Sequence, residues 1–335
     1  MQEKNYLEIT EITMNKLQKI DAMIKFGGFD AFLLALSDKL TGKNQKKQYF
    51  YRMLERADPE DYSFLLKRWY KMVCGKTLDL ENPKSFNEKI QWLKLYDATP
   101  LKTQLADKYL SREWLKERFG EEHLVPLLGC WECFDDIDFN TLPDRFALKC
   151  NHGSGWNIIV DNKSKLDIKK AKEKFDYWMS LNFAYKGCYE LQYKDIHPLI
   201  IAEQYLEMSD GSGIKDYRFY CFNGKPMQVW VDLYSGTPNH IRSIFDMDWN
   251  KLPFRCGWPD GGDQLNNKPI NFDLMASYAS QIAKHFLFIR VDYFEVQGKL
   301  YFGELTFTPM NGQGKFEPDE WDERLGSLLH LPIEK

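Results

Sequence analysis

Apolar residues at Leu7, Ile9, Ile12, Leu17, Ile20 and Ile24 recur at a loose helical spacing until Gly27–Gly28 interrupts them. A short apolar run at 31–36 and a polar stretch at 41–47 follow, so the chain to about Leu80 is expected to be helical. It is expected to stay helical from Asn82 to Asp138. Asn82–Pro83–Lys84–Ser85 reads as a turn with a capping serine, and Glu88 completes a capping box. Ile90, Trp92, Leu93 and Leu95 supply the apolar face behind it. A second helix is expected over about Thr103–Phe119, ending at Gly120 and carrying Asp107–Lys108; Pro126 opens Leu127–Leu128–Gly129.

From Phe146 the period changes to two. Phe146, Leu148 and Cys150 alternate with Ala147 and Lys149, a turn cluster Asn151–Gly155 follows, and Trp156–Val160 is β-prone again. Leu166–Leu181 reads as a helix and Leu199–Leu206 as a buried strand with a polar end. Asp216–Phe222 alternates, turns at Asn223–Gly224, and returns over Pro226–Leu233. Phe272, Met275, Tyr278, Ala279, Ile282 and Phe286 mark an amphipathic helix. It feeds a last hairpin, Phe288–Phe294 and Lys299–Thr306, turned at Gln297–Gly298. The class is α+β.

Composition narrows the partners. A net charge of −4 over 335 residues lacks the basic footprint of a nucleic-acid binder. No apolar run approaches the ~20 residues that span a bilayer, and the first residues lack signal-peptide order. A cytoplasmic protein is expected, with peripheral contact at the inner face of a membrane left open; the pattern specifies no oligomeric state. Glu3, Glu8, Glu11 and Asp21 offset the lysines near the start, so packing against the protein body suits that segment better than a membrane surface. Seven cysteines, an odd number, read as reduced thiols, with the Cys130–Cys133 pair expected to be buried. Aromatic residues make up 15% of the chain, which suits sugar handling as well as a large core.

Two places concentrate chemistry. A glycine loop between paired strands lets bare N–H groups approach an anion, and Lys149 stands two residues before it; the same letters also fit an ordinary hairpin. In the last hairpin Arg290 and Asp292 alternate on one strand, Glu304 and Thr306 on the other. Acids on neighbouring strands suit Mg²⁺, which takes one or two carboxylates plus phosphate oxygens, and suit solvated carboxylates equally. A two-residue turn at Gln297–Gly298 would put Glu304 on the face opposite Asp292. A three-residue loop, Val296–Gly298, or an equivalent bulge near Gly298 would bring all four onto one face.

The ordered set Asp107–Lys108, Lys149 with HGSGW, EQYL at 203–206, DYR at 216–218, RVD at 290–292 and ELTFTP at 304–309 resembles the ATP-grasp superfamily. NPKSFNEKIQWLKLYD, ADKY, FALKCNHGSGWNIIV, IAEQYLE and GELTFTP are similar to its TupA-like, teichuronopeptide-biosynthesis branch, over about Asp61–Leu331. The resemblance implies an ATP-grasp fold, two α+β lobes clamping ATP behind a helical N-terminal region. Its divisions would be a helical extension at 1–60, a helical pre-ATP-grasp region at 61–140, a small lobe with the glycine loop at 141–206 and a large lobe with the metal hairpin at 207–335.

It further implies that Lys108 and Lys149 hold phosphates, with Gly153, Ser154 and Gly155 closing over them. His152 would touch a phosphate, shuttle a proton or be bonded to backbone. Glu203, Gln204, Tyr205 and Leu206 would meet adenine through their backbone, and Asp216 would hold the ribose, with Arg218 two residues on. Arg290 would steady the transferred phosphoryl group. Asp292 and Glu304 would ligate Mg²⁺, with Thr306 where most of the superfamily has Asn, which weakens a second metal site. The implied reaction is ATP-dependent joining of a carboxylate to an amine through an acyl phosphate. A uronic-acid carboxyl and an amino-acid amine, sugar-linked in bacterial surface polysaccharide, are the implied partners. Rival readings are a kinase of a sugar hydroxyl, a glycosyltransferase using Asp246–Met247–Asp248 for its metal, and a non-enzymatic polysaccharide binder.

Overall fold

The computed structural model describes residues 51 and 53–333. The apolar stripe at 7–24, its glycine break and the run at 31–36 lie outside them. The chain divides into two compact units. One runs to Thr77 and takes in Tyr185–Tyr189; the other holds Leu78–Ala184 and the chain from Glu190 onward.

In the first unit, helix α1 (Tyr62–Cys74) buries Tyr62, Leu65, Leu66, Trp69 and Tyr70, an i, i+3, i+4 stripe. Gly75 stops it at φ 70°, a left-handed cap that glycine takes without strain. Tyr62 stacks on Tyr189 with ring centroids 4.1 Å apart.

The second unit begins with the expected capping box. Ser85 accepts from the Glu88 amide, and the Glu88 carboxylate accepts from the Ser85 amide, starting α2 (Phe86–Tyr96). The expected helix over Thr103–Phe119 is instead two, α3 (Pro100–Ala106) and α4 (Leu110–Phe119). The break is chemical. Asp107 is extended, and its carboxylate accepts from the amides of Tyr109 (2.7 Å) and Leu110 (3.2 Å), offering the backbone an alternative to the helical ladder. Nor does the chain stay helical to Asp138, because β1 (Leu127–Trp131) is a strand.

Strand β1 pairs with β4 (Ile200–Gln204) in a four-stranded antiparallel sheet that also holds β2 (Phe146–Cys150) and β3 (Asn157–Val160), in the order β1-β4-β2-β3. Helix α5 (Ile168–Met179) packs beside it and buries Ala171 and Phe175. None of the seven cysteines is in a disulfide, but Cys130, on the edge strand β1, is half-buried and Cys133 just beyond it is exposed rather than buried. Asp246 Oδ1 accepts from the amides of Asp248 and Asn250, so the Asp-x-Asp letters form a turn.

The larger sheet contains β5 (Asp216–Phe222), β6 (Lys225–Leu233), β7 (Ile241–Asp246), β9 (Phe288–Val296) and β10 (Lys299–Thr306), all antiparallel in the order β10-β9-β5-β6-β7; the short β8 (Arg255–Cys256) pairs with β11 (Phe316–Glu317). Helix α6 (Phe272–Ala283) covers one face, packing on β5, β6 and β9. On the other face the strands change character along their length. Phe288, Phe222, Tyr220, Trp230 and Ile244 form one core with Phe86, Ile90 and Leu93 of α2 and with Leu325 of α7 (Glu320–Leu328). Burying each such side chain contributes roughly 1.5–3 kcal/mol. Two residues further along, the same face is charged, and the candidate site begins there.

Candidate active site

The glycine loop joins β2 to β3, with Phe146 paired to Val160 and Lys149 to Asn157. Asn151 is fully buried and fastens the loop. Its amide donates to Leu199 O, and its side chain bonds Leu199 N (2.7 Å) and His197 O (2.9 Å). Gly153 must be glycine, since a Cβ there would lie 2.6 Å from the Trp156 ring and 2.7 Å from Phe183. Ser154 and Gly155 form the exposed tip. His152 points into the body of the lobe. It is 2% exposed, edge-on to Trp156, and its ring nitrogens lie against Asn151 Oδ1 and Trp178 O. Burial pulls it down to about 4, so the imidazole is neutral near pH 7 and bonded as a structural residue.

The Asp107 break turns Lys108 toward this loop. Its amide donates to Asn151 O, and its Nζ donates to Gly153 O and lies 4.0 Å from Glu304. Burial lowers the Lys108 ammonium pKa, against the pull of Glu304. Lys149 donates to Glu203 Oε2 at 2.6 Å, and Glu203 also accepts from Arg112 at 2.9 Å. Arg112 was missed in the sequence; its one signal is that it follows Lys108 by four residues. Lys108, Lys149, Arg112, Glu203, Tyr193 and Glu304 line a cleft of about 30 Å³. That is far below the ~300 Å³ of ordinary ligand sites, with the Lys149–Glu203 pair lying across the cleft. Beyond Glu203, the Gln204 amide is bonded to Pro126 O, Tyr205 lies under the Arg145 guanidinium, and Leu206 is half-buried.

The last hairpin differs from either expected register. Its turn is the plain two-residue kind, with Gln297 and Gly298 both left-handed (φ 53° and 75°), and Val296 pairs with Lys299. There is no three-residue loop, and no bulge near Gly298. The irregularity comes later. Tyr293 pairs with Phe302 and Val291 with Leu305, so Gly303 and Glu304 together stand opposite Asp292. That bulge turns Glu304 back onto the face of Asp292 and pairs Thr306 with Arg290. A side chain would crowd it, since a Cβ at Gly303 would sit 3.2 Å from Asp292 O.

One face of the sheet therefore carries a row of alternating charges across all five strands. Arg290 donates Nε to Asp292 Oδ1 (2.7 Å) and Nη2 to both Asp292 Oδ2 and Glu304 Oε1 (2.8 Å), while Thr306 Oγ1 donates to Glu304 (3.3 Å). Arg218 donates Nε to Asp216 Oδ2 at 2.8 Å and contacts Asp232 through Nη1 at 2.8 Å. Arg242 continues the row on β7, bonding both Asp232 oxygens and Cys256 O. Asp232 and Arg242 were not singled out in the sequence, where they read only as strand positions. Burial works against the Glu304 charge, but Lys108 and Arg290 outweigh it and bring the carboxyl down to about 2. Burial raises the Asp292 carboxyl pKa, Arg290 pulls it back, and Asp216 adds to the rise.

Two features test the fit to a magnesium nucleotide. Asp216 Oδ1 is buried with no hydrogen-bond partner, an acceptor suited to a sugar hydroxyl. Among the described residues no cluster of three or more His, Cys, Asp or Glu has metal-holding geometry. The donor set is two carboxylates, Asp292 and Glu304, which matches Mg²⁺ completed by phosphate oxygens.

The sequence matches the model of the TupA-like ATP-grasp family over residues 88–330. The chain belongs to this family. It has the ATP-grasp fold, here with a four-stranded and a five-stranded antiparallel sheet. None of the curated proteins compared matches the chain in sequence. Among solved structures it is similar to D-alanine–D-alanine ligase from Bacillus anthracis complexed with ATP, at 15% identity and a TM-score of 0.38, covering 62% of this chain and 56% of that one. The Helicobacter pylori D-alanine–D-alanine ligase gives 13% and 0.38, covering 75% and 68%. The ATP-grasp ligase PsnB complexed with minimal precursor gives 11% and 0.36, covering 72% and 66%. The chain thus spans little more than half the length of the Bacillus ligase. No helix among the described residues is long and apolar enough to cross a membrane.

Proposed function

We propose that this chain is an ATP-dependent ligase that joins a carboxylate to an amine through an acyl phosphate, with Mg²⁺ as cofactor. The observation that carries the reading is Arg290 bracketed by Asp292 and Glu304, with Lys108 4.0 Å from Glu304 and bonded to the glycine loop. Four groups of opposite sign converge there, as phosphoryl transfer demands, since its catalysis is almost entirely positioning and charge stabilisation. Lys108, Lys149 and the Gly153–Gly155 backbone would hold the phosphates. Asp216 would take the ribose through its free oxygen, and the backbone at 203–206 would take the adenine. Asp292 and Glu304 would hold the metal, whose contribution is to neutralise phosphate charge, and Thr306 would support Glu304. Arg290 would exchange its carboxylates for the transferred group. We assign the carboxylate to a uronic acid and the amine to an amino acid, in bacterial surface polysaccharide; the aromatic-rich composition supports a sugar-linked substrate.

The test is isotopic. ADP release is screened with uronic-acid oligomers and amino acids, and the active carboxylate is then labelled with ¹⁸O. Appearance of ¹⁸O in phosphate supports the ligase. A stable phosphorylated product would make the chain a kinase, and ADP release from no pair would remove the reading.

A further inference from the structure

The outer half of the charged row meets the acids assigned to the metal through Arg218, whose Nε lies 3.9 Å from Asp292 Oδ2. We propose that Asp232 is a positioning residue that sets metal affinity by holding Arg218 away from Asp292. The inference rests on the nucleotide–metal reading above. Three carboxylates surround the Arg218 guanidinium. Asp216 accepts from its Nε at 2.8 Å and Asp232 contacts its Nη1 at 2.8 Å, whereas the ion pair with Asp292 Oδ2 is the longest of the three at 3.9 Å. Register alone does not explain that order, because Arg218 is the direct cross-strand partner of Asp292. Asp232 is diagonal to it, pairing with Asp216.

Asp232 can compete because it is itself fixed. It is fully buried, and Arg242 binds both of its oxygens, Nη2 reaching Oδ2 at 2.7 Å. Arg242 is held in turn by Cys256 O at 3.0 Å, and His240 Nε2 lies 3.4 Å from Oδ2. The consequence falls on Asp292, which already has Arg290 in two-point contact. A carboxylate that is to ligate a metal must release its arginine. With Arg218 in contact as well, two cations would have to be displaced, in a site where charge interactions are strong. Partners at this remove from a metal typically tune its affinity by 10–100-fold.

The experiment measures metal binding directly. Mn²⁺ replaces Mg²⁺, a non-hydrolysable ATP analogue is added, and free Mn²⁺ is followed by electron paramagnetic resonance. Asp232→Asn is expected to weaken Mn²⁺ by about tenfold, and Asp232→Glu to restore most of that loss. Arg242→Met leaves Asp232 paired to Arg218 but less firmly fixed, so Mn²⁺ affinity should fall by clearly less than in Asp232→Asn even if the melting temperature drops. If Asp232→Asn fails to fold, the double variant Asp232→Asn/Arg242→Met removes both charges and strands neither; it too should lose about tenfold. Equal losses in Arg242→Met and Asp232→Asn, or none in Asp232→Asn or in the double variant, would overturn the proposal while leaving the nucleotide site intact. Absence of Mn²⁺–analogue binding in the wild type would overturn the underlying reading, and this inference with it.

Discussion

Gly303 is where space, register and chemistry meet. It is not left-handed, so a side chain there is a question of room rather than backbone strain. An added Cβ would lie 3.1 Å from the Phe294 ring and 3.2 Å from the Asp292 carbonyl oxygen, where ordinary contact begins near 3.4 Å. The ring is half-buried and can turn aside. The carbonyl belongs to β9, which is paired on both sides, so it yields only by moving Asp292. For Gly303→Ala we expect a loss of about 1–2 kcal/mol, at the mild end of overpacking, and for Gly303→Val about 3 kcal/mol. The larger effect should be on the metal. A shift of Asp292 by a few tenths of an ångström spoils a two-carboxylate site, and Mn²⁺ affinity with a bound ATP analogue should fall by about tenfold. Thermal melting and Mn²⁺ titration on the same samples separate the two effects. Wild-type metal affinity in a folded Gly303→Val would refute the claim that the bulge presents the acids together.

Lys108→Ala and Lys149→Ala should each weaken a non-hydrolysable ATP analogue by about tenfold or more, the worth of one charge-assisted bond; unchanged calorimetric affinity in both would remove the nucleotide from this cleft. Glu304→Gln keeps shape and loses charge, so ADP release should fall by about 10²–10³ with melting little changed. Asn87→Ala should cost about 1–3 kcal/mol in denaturant unfolding, because it removes the side-chain bonds to Asp322 Oδ2, to Gly314 O and from Gly314 N, while the backbone bond from Asn87 N to Asp322 remains. His152 is depressed by burial from the ordinary 6.5 to about 4, so its contribution is complete above about 6.5 and is withdrawn as pH falls through about 4. His152→Gln should flatten the melting curve across that window, and an unchanged pH profile would count against a buried neutral ring.

Features written into neighbouring residues were legible in the sequence. Ser85 with Glu88, and Asn223–Gly224 between alternating strands, announce a helix start and a hairpin because the deciding contacts span a few residues. The glycine loop was legible for the same reason. Asp107 was not, since the apolar period runs through it and only its carboxylate, turning back onto two amides, ends the ladder. Strand β1 was missed because five residues beside a proline carry too little period. The hairpin's phase was out of reach. Turn chemistry at Gln297–Gly298 is local, but the bulge at Gly303 answers to β9, whose register is set by β5. The outer half of the charged row needs five strands in register before Asp232 and Arg242 mean anything.

Helix α2 has a consequence for how the chain is made. Its amide at Asn87 bonds Asp322, 235 residues later, and its apolar side packs on strands and a helix that follow it by more than a hundred residues. A ribosome adding about 5–20 residues per second needs roughly 10–50 s to deliver that partner. Throughout that interval Phe86, Ile90 and Leu93 have no finished surface to lie against. The helix can nucleate early from its own capping box and must then wait, greasy side outward, for the C-terminal strands to emerge. During synthesis this segment is the natural place for a chaperone to bind, and truncations ending before α7 should accumulate as chaperone-bound or aggregated chains.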